Sequence, residues 1–113
     1  MALPDEYLEL LKENGIDLQE TFCIADIALS REATLQAIDI LEDAGSVILG
    51  GDVYLMTGED LRFALANWYT NRNPGETDQS LVARSASDSR NYVTHFKDPQ
   101  GSTAYFSLVV RDD

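Results

Sequence analysis

Short runs of β-forming residues, placed close together along the chain, constrain its fold most strongly. Two such runs flank a glycine pair within residues 46–56, and residues 103–110 are continuous β-formers without a breaker. These runs are too close together for regular units in which a long crossover joins two parallel strands. We therefore predict an α+β fold, a single domain over residues 1–113 with a small, mostly antiparallel sheet packed against about three helices.

Three segments carry the start and stop signals of helices. Pro4 suits a first helical position, and Ser30 is a good N-cap for the segment that Gly45 ends. In that segment apolar residues recur at helical spacing and give it a buried face. We predict helices over residues 4–13 and 31–44, and a third from a cap at Thr77 or Asp78 to about Phe96.

The remaining segments leave more than one interpretation. Residues 21–29 are mostly apolar and fit either a strand or an extended segment that leads into the next helix. The Gly50–Gly51 pair indicates either a bulge or a tight kink between strands. Residues 61–70 fit a strand or a helix, and their aromatic residues favour a strand at the end. Turns or loops are predicted at residues 58–60, 71–76 and 98–101.

Negative charge is concentrated in the first half of the chain. The 113 residues include 20 acids and eight bases, which gives a formal net charge of −12. Residues 1–60 contain 14 of the acids and two bases, whereas residues 61–113 contain six of each. The first half would repel a phosphate backbone and attract a basic protein. We therefore expect a basic protein partner and no direct contact with nucleic acid. The alternative explanation is that the acidity only keeps the protein soluble.

Several features favour a cytoplasmic protein. No apolar run approaches the roughly 20 residues that a membrane-spanning helix needs. The first residues carry carboxylates where a signal peptide has positive charge and an apolar stretch. The single cysteine, Cys23, lies in an apolar run and is expected to be a buried, inert thiol. We predict a cytoplasmic location and no contact with membranes.

Residues that carry catalytic chemistry are scarce. His95 is the only histidine, and its position near the end of the third helix suits a surface or capping role. One histidine and one cysteine are too few for a typical zinc site. Gly50–Gly51–Asp52 lacks the lysine and the glycine spacing of a phosphate-binding loop. We predict no enzymatic activity, no cofactor and no metal site.

The remaining candidates are acids and aromatic residues. Adjacent acids, such as Glu42 with Asp43 and Glu59 with Asp60, point in different directions and make poor catalytic pairs. Solvated acids are nevertheless suited to a charged protein interface. Trp68 and Tyr69 belong to residue types that are enriched at interfaces, although a lone tryptophan is more often part of a core.

Several segments together resemble a bacterial family. Residues 37–41 (AIDIL) lead into residues 48–54 (ILGGDVY), and residues 67–69 (NWY) follow. A helix over residues 83–93 and a closing strand over residues 105–110 complete the same order. Over about residues 27–110 the chain resembles immunity protein 40, a family of polymorphic-toxin systems of the contact-dependent growth inhibition type.

The resemblance implies a small α+β protein that binds and neutralises a cognate toxin, commonly one delivered by a neighbouring cell. Such toxins are often nucleases with basic substrate-binding surfaces, which agrees with the asymmetric acidity of this chain. We therefore expect the immunity protein to block the active site or an exosite of the toxin. The residues that we expect to contact the toxin are Asp39, Glu42, Asp43, Asp52, Glu59, Asp60, Trp68 and Tyr69.

Two other functions remain open from the sequence. One is an acidic adaptor or accessory domain that docks on a basic cellular protein without any toxin. The other is a small enzyme that uses a carboxylate or His95. The position of the gene separates the first from an immunity protein, because an immunity gene lies directly downstream of a toxin gene. Loss of His95 without a phenotype would remove most support for the second.

Overall fold

Five antiparallel strands and three helices make up the described part of the chain. The structure is a computed structural model that describes residues 3–19 and 26–111. The strands are β1 (Ile16–Asp17), β2 (Ile27–Ser30), β3 (Ile48–Thr57), β4 (Asp60–Tyr69) and β5 (Thr103–Val110). The helices are α1 (Asp5–Asn14), α2 (Arg31–Asp43) and α3 (Asp78–His95). The predicted α+β class, the mostly antiparallel sheet and the number of helices are confirmed.

The last strand of the chain lies in the middle of the sheet. The spatial order is β1-β2-β5-β3-β4, and every neighbouring pair is antiparallel. The uninterrupted β-formers of β5 suit this position, because a central strand is buried on both faces. Phe106 in β5 is fully buried, and its ring meets those of Trp68 and Phe96 edge-on, with centroids 6.4 Å and 6.0 Å away.

The ambiguous segment 61–70 is extended almost throughout. It forms β4, which pairs with β3 through a tight turn at Gly58, a residue with a positive φ of 62°. The prediction of a strand at its end is confirmed, and the helical alternative is wrong. Of residues 21–29, the part from Ile27 onwards belongs to a strand, whereas residues 20–25, with Cys23, lie outside the described residues.

The Gly50–Gly51 pair lies inside one continuous strand and does not divide two. The pairing of β3 with β5 shifts register between Ile48 and Gly50, which identifies a bulge. A Cβ atom on Gly50 would overlap the carbonyl oxygen of Trp68, and one on Gly51 would overlap the indole ring of Trp68. Both glycines therefore allow β4 and its tryptophan to approach β3 closely.

Helices α2 and α3 begin at predicted caps, whereas Pro4 precedes α1 as its N-cap and is not its first helical residue. The Ser30 hydroxyl accepts a hydrogen bond from the Ala33 amide at 3.2 Å, and Thr77 caps α3 through the Ser80 amide at 3.1 Å. Such a cap stabilises a helix by about 1 kcal/mol. The helix ends lie within a residue or so of the predicted ends, a normal difference for frayed termini.

The helices cover one face of the sheet. Ile38 and Leu41 from α2 and Val93 from α3 pack against Val53 and Phe106 in the main core. On the opposite face a smaller cluster of Leu18, Ala28 and Tyr54 covers the side of the sheet near β1 and β2. Side chains of a strand alternate between the faces, so that Asp52 and Tyr54 face away from the helices and Val53 faces towards them.

Candidate partner-binding surface

A patch of apolar side chains surrounds Asp52 on the face of the sheet that points away from the helices. It comprises Leu49, Asp52, Phe63, Leu65, Tyr69 and Val109, and we call it the Asp52 face. Two shallow clefts of about 400 Å³ and about 270 Å³ adjoin it, and Asp52 and Asn67 line both of them. Asn67 is paired with Asp52 across β3 and β4, which places both polar groups between the two clefts.

The Asp52 face concentrates the exposed large apolar residues of the described chain. Six such side chains are exposed in residues 3–19 and 26–111, and five of them belong to this face. Leu65 is 96% exposed and Tyr69 73% exposed, while Phe63 and Val109 are about half exposed. Single exposed apolar residues are normal on a protein surface, but a contiguous group of them marks an interaction site.

Asp52 carries an uncompensated charge at the centre of the patch. Burial raises the pKa of its carboxyl group, and the nearby negative charge of Asp26 raises it further. Within the described ranges no lysine or arginine forms an ion pair with Asp52. A partly desolvated carboxylate in this state is stabilised by any cation that approaches it.

Leu65 has an unusual backbone conformation. Its φ is +57°, the only positive value at a non-glycine residue in the part of the chain that the structure describes. The pairing explains why, since Val53 alone separates Asp52 from Tyr54 on β3, while residues 64–66 separate their partners on β4. The left-handed conformation costs about 1–2 kcal/mol for a residue with a Cβ atom. The bulge therefore presents a leucine to solvent at an energetic cost.

The two aromatic residues that we expected at the interface lie on opposite faces of β4. Tyr69 belongs to the exposed patch, whereas Trp68 is only 9% exposed and packs in the main core. The indole Nε1 of Trp68 donates a hydrogen bond to the Ser89 hydroxyl at 3.0 Å, and its ring stacks on Tyr92 at 4.7 Å. Trp68 thus anchors the end of β4 to the core on the helical side of the sheet, while Tyr69 points to solvent on the opposite face.

The three predicted acids of α2 lie in the helical layer, away from the Asp52 face. Asp39 and Glu42 both accept hydrogen bonds from the same nitrogen of Arg90 on α3, each at 2.8 Å. Asp43 is exposed at the end of α2. Two of these three acids are therefore already paired with a cation.

Glu59 and Asp60 lie at the turn between β3 and β4, and both are exposed. With a rise of about 3.3 Å per residue, the turn at Thr57 is roughly 17 Å along β3 from Asp52. The six predicted acids therefore occupy three separate places: the helical layer, the Asp52 face and the tip of the hairpin.

Sequence reasoning missed four apolar members of the Asp52 face, namely Leu49, Phe63, Leu65 and Val109. A signal for two of them was available in β4, where Ala64 and Ala66 alternate with Phe63 and Leu65. Small residues on one face of a strand indicate close packing there, so the large ones must face the other side. The bulge at Leu65 depends on the pairing with β3 and has no such signal.

His95 lies in the last turn of α3, exposed, with its Nδ1 2.8 Å from the carbonyl oxygen of Asn91. Across residues 3–19 and 26–111, no group of three or more His, Cys, Asp or Glu side chains is arranged to hold a metal ion. In the same ranges, no helix has the length and apolar character required to cross a bilayer.

Comparison with known protein families identifies this chain. The family model described as Immunity protein 40 matches residues 10–110, which is most of the chain. No curated protein and no solved structure matches it. The family match covers α2, α3 and all five strands, including the Gly50–Gly51 bulge. The chain therefore belongs to the immunity protein 40 family, which implies that it is an immunity protein of a toxin system and binds a cognate toxin.

Proposed function

We propose that this protein neutralises a basic toxin, of which a nuclease is the class best suited, by covering its active site or an exosite. The observation that carries the proposal is membership of the immunity protein 40 family over residues 10–110. The concentration of 14 acids among residues 1–60 supports a basic partner. In this mechanism carboxylates take the positions that substrate phosphates would occupy.

Charge and apolar contact have separate parts in the proposed mechanism. A net charge of −12 accelerates the encounter with a basic protein, an effect that salt weakens. Desolvated apolar and aromatic contacts at the centre of an interface slow the release of the partner. Among the proposed contact residues, Tyr69 is suited to direct contact, whereas Trp68 acts through the core by holding the end of β4.

The proposed acids differ in how readily they can meet the toxin. Asp52, Glu59 and Asp60 lie on the β3–β4 hairpin and form no ion pair among the described residues. Asp39 and Glu42 would first have to break their ion pairs with Arg90 before they could pair with a basic residue of the toxin. The exposed Asp43 has no ion pair among the described residues to break. In this proposal, Asp39, Glu42 and Asp43 contribute mainly to steering.

Co-expression tests the proposal. The gene directly upstream is expected to encode the toxin, and its product should arrest growth when expressed alone. We expect growth to resume when this chain is co-expressed, and the two proteins to purify together. Growth arrest that persists with soluble, folded chain present, together with no co-purification, would contradict the proposal and favour an adaptor of another basic protein.

A further inference from the structure

The Asp52 face combines three properties that a folded protein does not need for its own stability. Five exposed apolar side chains lie together, a half-buried carboxylate has no ion pair among the described residues, and a leucine has a left-handed backbone. Local strain of this kind persists only where the surrounding structure holds it, and it is concentrated at functional positions.

We propose that the Asp52 face is the surface on which the toxin docks, with Leu65 entering an apolar pocket and Asp52 pairing with a lysine or arginine. This inference rests on the proposed function and adds to it the location of the interface. It moves the centre of the contact from the acids of α2 to the β3–β4 hairpin. Asp39, Glu42 and Asp43 lie in the helical layer and take no part in the docked contact.

The shape of the patch supports contact through side chains. β4 is an edge strand of the sheet, and such edges can accept a further strand from a partner. The bulge at residues 64–66 interrupts the regular spacing that an added strand would require. The same bulge turns Leu65 outwards, so that its side chain protrudes from the surface at 96% exposure. A protruding apolar residue fits a partner with a complementary depression.

Charge identifies the occupant as a basic partner. In a symmetric dimer through this face, both copies would bring an Asp52 carboxylate into one interface, and the Asp52 face contains no basic residue to pair with either of them. Their mutual repulsion would raise the pKa of Asp52 beyond the increase that burial and Asp26 already cause. A cation of the toxin has the opposite effect and lowers the pKa of the carboxyl group. A second copy of this chain is therefore a poor occupant.

The test measures the dissociation constant of the purified upstream toxin for the full chain and its variants. We expect Leu65→Ala and Asp52→Asn each to raise the dissociation constant on the order of tenfold, because each removes a central contact. The matched controls are Leu8→Ala and Glu9→Gln, since both residues are exposed on α1 and line neither cleft of the Asp52 face. They should bind within about twofold of the unmodified chain.

The Leu65→Gly variant tests whether weaker binding could be due to a loss of folding. Glycine adopts a positive φ without strain, so this variant should unfold at a higher denaturant concentration than the unmodified chain while it binds the toxin less tightly. Amide hydrogen exchange gives an independent measurement. Toxin binding should slow exchange in residues 63–69, with a smaller effect in α2.

The outcomes separate this inference from the proposed function. If the unmodified chain binds the toxin and rescues growth, but the three variants bind equally well, the docking surface is wrong and the immunity role stands. Protection confined to α2 and α3 would lead to the same conclusion. If the unmodified chain neither binds nor rescues, the proposed function and the docking surface are both contradicted.

Discussion

The indole ring of Trp68 lies directly over Gly51, where an added Cβ atom would overlap it. This contact joins the edge strand β4 to the core and determines that Tyr69 points to the opposite face. The glycine pair, which is part of the segment that resembles the family, therefore serves packing and indirectly the exposed patch.

Replacing Gly51 tests this relationship. Gly51→Ala should destabilise the protein by about 1–3 kcal/mol, because the new methyl group would overlap both the indole ring of Trp68 and the carbonyl oxygen of Ser107. Urea unfolding monitored by circular dichroism measures the change. In a Trp68→Leu background the same substitution should cost less, since a smaller side chain leaves space for the methyl group. Equal costs in both backgrounds would show that the Trp68 ring is not the obstacle.

Removing the hydrogen-bond partner of Trp68 should also destabilise the fold. Ser89→Ala leaves the buried indole N–H without its acceptor, which costs about 1–3 kcal/mol. Ser87→Ala is the matched control, since Ser87 is exposed on the same helix. We expect no measurable change in unfolding free energy for the control. A stable Ser89→Ala variant would mean that the indole finds another acceptor.

Glu76, which directly precedes the N-cap of α3, makes the stability of the protein dependent on pH. Its carboxylate accepts two hydrogen bonds from Arg84, at 2.7 Å and 2.9 Å, and one from the Asn73 amide at 2.9 Å. These interactions lower its pKa from 4.5 to about 2, with the hydrogen bond from Arg84 as the largest cause. Because the pKa is lower in the folded state, the stabilisation is present above 4.5 and is lost as the pH falls towards 2.

The corresponding measurement is the thermal midpoint from about pH 7 to about pH 2 for the unmodified chain and Glu76→Gln. We expect the variant to melt several degrees lower at neutral pH and to converge with the unmodified chain at the acidic end. Glu59→Gln in the β3–β4 turn is the control and should follow the unmodified chain. Parallel curves for Glu76→Gln would contradict this assignment.

Asp52 should make the stability of the protein depend on pH in the opposite direction. Its pKa is raised in the folded protein, first by burial and then by Asp26, so ionisation of this group costs stability as the pH rises. Asp52→Asn should therefore unfold at an equal or higher urea concentration at neutral pH. If the variant also loses toxin affinity, stability and binding are opposed at this residue, as expected for a binding site. A marked loss of stability would instead assign Asp52 a structural role.

Local sequence signals were sufficient for the regular elements and insufficient for the surface. Thr103–Val110 is a continuous run of β-formers, and the third helix has a cap signal at Thr77 or Asp78. Both elements form as predicted, with Thr77 as the cap. Residues 61–70 were ambiguous because Ala64 and Ala66 favour a helix while Phe63, Trp68 and Tyr69 favour a strand. Pairing with β3 decides between them, and that information is not local.

The candidate site depends still more on tertiary structure. Asp39 and Asp52 are only 13 positions apart in the sequence, yet the sheet separates them. Trp68 and Tyr69 are neighbours with opposite environments, and alternation along β4 explains the difference once the strand is known. Leu65 becomes a candidate contact residue only because β4 has three residues, 64–66, opposite the single residue Val53 of β3. This bulge cannot be recognised without the strand pairing.

The most direct test of the immunity role is a binding isotherm between the purified upstream toxin and this chain. We predict saturation at about one equivalent, with an affinity that falls when salt rises from about 0.05 M to about 0.5 M, because opposite charges steer the encounter. The absence of saturable binding between the two folded proteins at either salt concentration would contradict the claim that this acidic chain neutralises its toxin by direct contact.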